Sequence, residues 1–309
     1  MADSTNLKEK INETLESFIE GCLKFDPPRL AEEEYPEDVL VEENIAYIPN
    51  EDTKSEDPFS LSSSRRIMDI YTTMEDKESE EVFLLIHGGA FVYGCKELDK
   101  CFGMHLVLKT GLDVSNINYR LMPQVGLIQQ LEDIIEAVLF LSKDRGYRIF
   151  HTVGDSAGGY LSLLSAILLN SANARADFGL SRYDAALEKL NICAKSVNLI
   201  CGHSLDAEDE FAGYYFDPAK TLPRSIYDLS KAVESYGCPP LVQITSDNDT
   251  LLKENLYLRE RLTALSVPVL YYCAETTEDR FMHHVFPIAH PTWPEGEKTM
   301  ALICENIGR

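Results

Sequence analysis

The chain has 309 residues, of which 45% are apolar, and it carries a formal net charge of -23. A chain of this length can bury roughly three quarters of the surface that it exposes when unfolded, which is enough for one large core or for a core and a cap. The negative charge repels nucleic-acid phosphates and anionic lipid surfaces, so the composition argues against binding to either.

The cysteines and the N-terminal segment indicate the cellular compartment in which the protein acts. The eight cysteines are scattered, with no C-x-x-C pair and no Cys/His cluster at the spacing of zinc ligands. We therefore expect free thiols in a reducing compartment rather than a set of disulfides. The N-terminal segment does not resemble a secretory signal, and no stretch approaches the roughly 20 apolar residues of a membrane span. These features predict a cytoplasmic protein.

The N-terminal segment is predicted to form an amphipathic helix from about residue 7 to residue 24. Apolar residues recur there at helical spacing after a capping-box signature. Pro27 and Pro28 are expected to end this helix. Residues 49–64 are polar and are predicted to form an exposed connection.

From Arg66 onward, short apolar runs alternate with helical patterns. The predicted strands are residues 67–72, 82–86, 114–118, 149–153, 196–201, 241–245 and 267–273, and the clearest helical patterns are residues 131–141, 157–169, 251–265 and 298–307. This alternation predicts an α/β fold with a mostly parallel central sheet and helices on both faces. Ligands of such sheets bind at the carboxyl ends of the strands, so the loops after strands are the expected place for chemistry.

Residues 203–237 interrupt this alternation with a long acidic segment. Its aromatic residues are Phe211, Tyr214, Tyr215, Phe216, Tyr227 and Tyr236. A connection of this length usually carries structure of its own or covers a site, so we expect it to form a small helical cap together with the N-terminal helix. A peripheral insertion unrelated to the site is the alternative. The predicted organisation is an N-terminal helix and connection at 1–65, core segments at 66–202 and 238–309, and the cap insertion at 203–237.

The strongest chemical signal is the sequence Gly-Asp-Ser-Ala-Gly at 154–158. A predicted strand precedes it and a predicted helix follows it, which is the context of a G-x-S-x-G nucleophile elbow. The sharp turn strains the serine backbone and leaves room only for very small neighbours, which accounts for Gly154 and Gly158. Ser156 is thus the predicted nucleophile, at a helix N-terminus that favours a developing negative charge.

The second signal is the sequence His-Gly-Gly-Ala-Phe at 87–91, directly after a predicted strand. Attack on an ester makes a tetrahedral oxyanion, and a glycine loop lets backbone N–H groups approach that oxygen closely. We expect Gly88 and Gly89 to donate from this loop and Ala157 to donate from the residue after the nucleophile. A plain tight turn or a phosphate-binding turn is the alternative, but the Lys-Ser/Thr of a P-loop is missing.

Three motifs together resemble the hormone-sensitive-lipase-like (HGGG-type) carboxylesterases of the α/β-hydrolases. They are HGGAF at 87–91, YRLMP at 119–123 and GDSAGG at 154–159, in the order found in that family. The resemblance runs from about Arg66 to the C-terminus. It implies the α/β-hydrolase fold with a cap, a Ser-Asp-His triad in that order along the chain, and no cofactor or metal. Ala90 departs from the pattern, because a third glycine is common at that position.

The family pattern also assigns the acid and the base of the triad. The acid is followed by one variable residue and Leu, which fits Asp249 and leaves Asp247 in reserve. The base is followed by a variable residue and Phe, which fits His284 better than His283. Such an acid orients the imidazole and stabilises its protonated form. Other histidines, such as His290, are expected to be structural.

These assignments predict a serine hydrolase that cleaves small carboxylic esters, with short-chain acyl or acetyl groups, through an acyl-enzyme on Ser156. An amidase or peptidase with the same triad is one alternative. A non-catalytic member of the fold that binds a small ligand is the other, because a fold does not fix function. The residues that bind the substrate and the oligomeric state are not evident from the sequence.

Overall fold

The computed structural model describes residues 2–51, 58–59, 65–74, 79–204 and 223–308. An eight-stranded sheet lies at its centre, with the strand order β1-β2-β4-β3-β5-β6-β7-β8. The strands are β1 Val39–Ala46, β2 Ile67–Thr73, β3 Glu81–Ile86, β4 Asp113–Ile117, β5 Ile149–Asp155, β6 Cys193–Ile200, β7 Leu241–Ser246 and β8 Val269–Ala274. The pairs β1·β2 and β2·β4 are antiparallel, and the other five pairs are parallel. The predicted mostly parallel sheet is confirmed.

Helices cover both faces of this sheet. The helices are α1 Ala2–Ala31, α2 Lys100–Thr110, α3 Leu127–Asp144, α4 Ala157–Asn170, α5 Ala172–Asp177, α6 Asp184–Leu190, α7 Leu229–Tyr236, α8 Leu252–Ala264, α9 Phe286–Ala289 and α10 Pro294–Asn306. In β3, Val82, Leu84 and Ile86 pack into the core that contains α3 and α4. Phe83 and Leu85 point to the opposite face, where α2 and α10 lie. This two-residue alternation explains why β3 is a continuous apolar run.

The edge strand β1 is not predicted by the sequence patterns. It carries polar residues in its middle, and its register to β2 shifts between Glu42 and Ile45. At this bulge Asn44 has a positive φ of 59°, and its backbone N–H donates to Asp69 Oδ1 at 2.8 Å. The bulge breaks the alternation of apolar and polar residues that identifies a strand in a sequence.

The predicted end of α1 is wrong, because the helix continues through Pro27 and Pro28 to Ala31. A proline inside a helix costs about 3 kcal/mol, since its ring removes a hydrogen bond and clashes with the preceding turn. Contacts on both sides of the two prolines offset this cost. The hydroxyl of Tyr93 donates to Asp26 at 3.0 Å, and the guanidinium of Arg29 donates to the carbonyl of Leu98 at 3.2 Å.

The proposed cap insertion at 203–237 is only partly described. Residues 205–222, which include Phe211 and Tyr214 to Phe216, lie outside the described residues, as does most of the predicted connection at 49–64. At the end of the insertion, α7 packs against α4 with Leu229, Ala232 and Val233 buried. Among the described residues, no helix is long and apolar enough to span a membrane.

Candidate active site

Ser156 sits in a strained turn between β5 and α4. Its backbone has φ 49° and ψ -117°, which side-chain-bearing residues rarely adopt. The backbone at the end of β3 lies so close to this turn that the two flanking positions must be glycine. A Cβ on Gly158 would lie 1.9 Å from the carbonyl oxygen of Ile86, and a Cβ on Gly154 would lie 2.5 Å from Gly158. The predicted strand, turn and helix around the serine are therefore present, and the close approach of β3 explains the glycines.

The structure brings the three predicted triad residues together. Nε2 of His284 lies 3.0 Å from Oγ of Ser156, and Nδ1 of His284 lies 2.7 Å from Oδ1 of Asp249. Asp249 follows β7 and His284 follows β8, so both loops lie at the carboxyl edge of the parallel sheet. This is the geometry in which an imidazole can take a proton from a serine hydroxyl while a carboxylate fixes its tautomer.

Hydrogen bonds keep the Asp249 side chain ionised. Its carboxyl is fully buried and accepts hydrogen bonds from the Thr245 hydroxyl at 2.6 Å and from the Leu251 N–H at 2.9 Å. Burial alone would raise the pKa of Asp249, but the hydrogen bond from His284, the charge of His284 and the Thr245 and Leu251 hydrogen bonds outweigh it and hold the pKa below its ordinary value. The carboxylate is thus suited to stabilise a protonated imidazole.

The loop 87–91 lies beside the nucleophile. Gly88, however, does not have the role of oxyanion donor that was predicted for it. The N–H of Gly88 already donates to Oδ1 of Asp155 at 2.7 Å, so it is not directed at an oxyanion. No hydrogen bond joins the N–H of Gly89 or of Ala157 to a described residue outside its own helix or strand. Gly89 has φ 103°, and a Cβ there would meet the carbonyl of Tyr93 at 2.1 Å, so only glycine fits this turn.

Comparisons with known proteins agree with this geometry. Residues 68–202 match the family model BD-FAE. Esterase B from Lactobacillus rhamnosis, in a structure inhibited by a C4-C4 SN3 tributyrin phosphonate, is 24% identical, with 97% of each chain covered and a TM-score of 0.80. A C6-C4 SN3 inhibited form of esterase B is 25% identical, with 96% of this chain and 95% of that chain covered and a TM-score of 0.78. These likenesses show that the chain has the α/β-hydrolase fold.

A more distant structural relative comes from the family that the sequence motifs resemble. An esterase from the bacterial hormone-sensitive lipase (HSL) family is 19% identical, with 89% of this chain and 86% of that chain covered and a TM-score of 0.66. No curated protein matches the sequence. The fold that the three motifs imply is therefore confirmed.

The two reserve candidates for the triad have other hydrogen-bond partners. Asp247 is exposed, and its carboxylate accepts hydrogen bonds from the N–H and the hydroxyl of Thr276. Nδ1 of His283 lies 2.7 Å from the carbonyl oxygen of His284, and its ring contacts Phe25 and His290 edge to face. Neither side chain takes part in the hydrogen-bond chain that joins Asp249, His284 and Ser156.

A cavity of about 460 Å³ opens above the triad. The residues that form its walls were not predicted. One wall is α1, which contributes Phe18, Cys22, Phe25 and Arg29 among others, and the remaining walls come from the loops at the carboxyl edge of the sheet. The cavity is mainly apolar, as expected for a site that binds a small organic ligand. The N-terminal helix therefore forms one side of the site.

Two buried polar residues near the nucleophile were not predicted. Asp99, which is 1% exposed, interacts with the buried Asp155. The thiol of Cys201 is fully buried, and its sulfur lies within 4.8 Å of a carboxylate oxygen of Asp249 and of a ring nitrogen of His284. Nothing near Asp99 or Cys201 in the sequence marks them, because their neighbours are more than 40 residues away and meet them only in the folded chain.

Cys201 also belongs to a group of three side chains of the types that bind metal ions. The ligand atoms of Cys201, Asp249 and His284 lie within 4.8 Å of one another. The donors of this group are already engaged, since His284 Nδ1 and Asp249 Oδ1 bond to each other at 2.7 Å. Burial raises the pKa of the Cys201 thiol well above its ordinary value, which disfavours the thiolate that a metal needs. The group is explained by the triad without a metal.

Proposed function

We propose that the protein hydrolyses small carboxylic esters with short acyl groups through an acyl-enzyme on Ser156. The observation that carries this proposal is the hydrogen-bond chain from Asp249 through His284 to Ser156, with distances of 2.7 and 3.0 Å. It supports nucleophilic catalysis by serine, because each hydrogen bond is short enough for proton transfer or for orientation of the imidazole.

The steps follow from the geometry of these residues. His284 takes the proton of Ser156 as Oγ attacks the ester carbonyl, and Asp249 stabilises the imidazolium that forms. We propose that the N–H groups of Gly89 and Ala157 receive the oxyanion, and that Gly88 instead fixes the loop through Asp155. His284 returns its proton to the leaving alcohol, and a water molecule then releases the acid by the reverse sequence.

The size of the cavity supports short acyl groups. A volume of about 460 Å³ lies within the usual range of small-ligand pockets, and it must hold both sides of the ester bond. The related esterase B forms a complex with a tributyrin phosphonate, whose acyl groups have four carbons. We therefore propose acetyl to butyryl esters as substrates of this protein.

The central experiment is the substitution Ser156→Ala, with p-nitrophenyl butyrate as substrate. Loss of the nucleophile is expected to lower kcat by about 10³-fold or more. The matched control is Ser162→Ala, which removes another buried hydroxyl from α4 and is expected to leave kcat within about twofold. A fluorophosphonate should label the native chain and not the Ser156→Ala variant. Turnover by Ser156→Ala at the native rate would refute the proposal.

We also propose that the protein acts in the cytoplasm. All eight cysteines lie among the described residues, and all eight are free. Free thiols are typical of a reducing compartment. Fractionation of cells that express the chain, followed by detection with an antibody, tests this proposal, and recovery outside the cytoplasm would contradict it.

A further inference from the structure

A second cavity adjoins the catalytic one on the outer side of α1. This outer groove has a volume of about 770 Å³ and lies between the end of α1 and residues 281–293. Phe25, Arg29, His283 and Ala289 line both volumes, so the groove and the catalytic cavity share one wall.

Two rings close this wall. Phe25 and His283 meet edge to face, with 6.2 Å between the ring centroids and an angle of 77° between the ring planes. Phe25 is 58% exposed, so little packing holds its ring in place. Arg29 is anchored by the carbonyl of Leu98 and by Glu33. Phe25 is therefore the part of the wall that can move aside at low cost.

The wall lies on the alcohol side of the catalytic cavity. The leaving oxygen must come within hydrogen-bond reach of Nε2 of His284 to receive its proton. His283 directly precedes this base, and Ala289 lies in the short helix α9 that follows it. The alcohol part of a bound ester consequently points toward these residues, and a long alcohol part reaches the wall and then the groove.

The lining of the groove indicates what it accepts. Its aromatic members include Phe281, His290 and Trp293. Burial lowers the pKa of His283 and lowers that of His290 to about 4, so both rings are neutral at pH 7. Three acidic residues, 32–34, and two basic residues, Lys24 and Arg29, also line the groove, so the two signs of charge largely offset each other. The neutral aromatic lining therefore favours an uncharged, apolar chain.

We propose that the outer groove is the distal binding site for the alcohol part of extended esters, and that Phe25 sets the length of alcohol that the enzyme accepts. The proposal rests on the proposed esterase function of Ser156. Short alcohols fit within the catalytic cavity, whereas longer alkyl chains must displace the Phe25 ring to enter the groove.

The test compares two series of esters on purified full-length variants. The first series keeps the acyl group as butyrate and varies the alcohol from ethyl to octyl. The second keeps p-nitrophenol as the alcohol and varies the acyl group from acetate to octanoate. Phe25→Ala is expected to raise kcat/KM for octyl butyrate relative to ethyl butyrate by at least about fivefold, because several methylene groups of the octyl chain can then bind in the groove. Phe25→Trp is expected to lower the same ratio.

The matched control is Tyr257→Ala, which removes an aromatic ring that is 48% exposed and lines neither volume. It should leave both series unchanged. A shift of the acyl series instead of the alcohol series would overturn the assignment of the groove, and so would unchanged ratios in both Phe25 variants. These outcomes are distinct from failure of the proposed function, because a change in preference is measurable only if the esters are hydrolysed.

Discussion

The backbone N–H of Gly88 donates a hydrogen bond of 2.7 Å to Oδ1 of Asp155, the residue directly before the nucleophile. This bond joins the loop after β3 to the turn after β5. A Cβ on Gly88 would lie 2.4 Å from the other carboxylate oxygen of Asp155, so the two segments are in direct contact. The position of the Gly89 amide relative to Ser156 therefore depends on the state of one buried carboxyl group.

That carboxyl group interacts with a second buried carboxyl group, Asp99, and this predicts a pH dependence of stability. Burial, and then the charge of Asp155, raise the pKa of Asp99 well above its ordinary value, although the charge of Arg29 opposes this. A carboxyl whose pKa is raised by folding holds a proton that the unfolded chain releases above about pH 4. The free energy of unfolding therefore falls as the pH rises from about 4 toward the folded-state pKa.

Asp99→Asn should remove this loss, because the amide does not titrate. The variant is expected to gain stability relative to the native chain as the pH rises from about 4, measured by urea unfolding at several pH values. Asp38→Asn, which changes an exposed carboxyl, is the control and should follow the native curve. If the curves of Asp99→Asn and the native chain stay parallel, folding does not raise the pKa of Asp99.

Asp249 and Asp247 both lie in the loop after β7, so they allow a matched test of which acid belongs to the triad. Asp249→Asn is expected to lower kcat by about 10³ to 10⁴-fold with little change in KM, because the amide no longer fixes the correct imidazole tautomer or stabilises its charge. Asp247→Asn changes an exposed carboxylate two residues away and should leave kcat within about twofold. Steady-state kinetics on p-nitrophenyl butyrate measure both. Comparable losses in the two variants would contradict the assignment of Asp249.

Cys201 is predicted to position the acid and the base. Its buried sulfur lies within 4.8 Å of both the Asp249 carboxylate and the His284 ring, so it packs against both partners of the pair. Cys201→Ala leaves a small cavity beside the pair, which lets both side chains leave their positions. We expect kcat to fall by about tenfold or more in Cys201→Ala and to be largely restored in Cys201→Ser.

Titration of active sites with a fluorophosphonate separates this role from a loss of folded protein. A displaced Asp249 in Cys201→Ala should lower the turnover at each labelled site, whereas a loss of folded protein lowers the number of labelled sites. Equal turnover per site in the native chain and in Cys201→Ala would show that the thiol does not position the pair.

Much of the architecture could be predicted because it depends on local patterns. The parallel strands are continuous apolar runs, and the turn at Ser156 requires a short glycine-rich sequence, so both leave a clear mark. The end of α1 at Ala31 and the bulge at Asn44 could not be predicted, because distant partners stabilise them. Tyr93 and Leu98 hold the helix around its prolines, and Asp69 holds the bulge.

The same distinction applies to the site. The motifs indicate Ser156 and the glycine loop, and the family pattern separates Asp249 from Asp247. The motif does not indicate which amide of the loop is free, because this depends on the Asp155 carboxyl reaching Gly88. Asp99 and Cys201 leave no local mark, since each acts through residues that are remote in sequence.

The close approach at Gly158 separates two kinds of position in this site. No other amino acid fits between the carbonyl of Ile86 and the start of α4 without displacing the turn that holds the nucleophile. The side chains of α1 that line the cavity lie on a different segment of the chain and outside this turn. Substitutions in α1 can therefore reshape the cavity while the nucleophile turn stays in place.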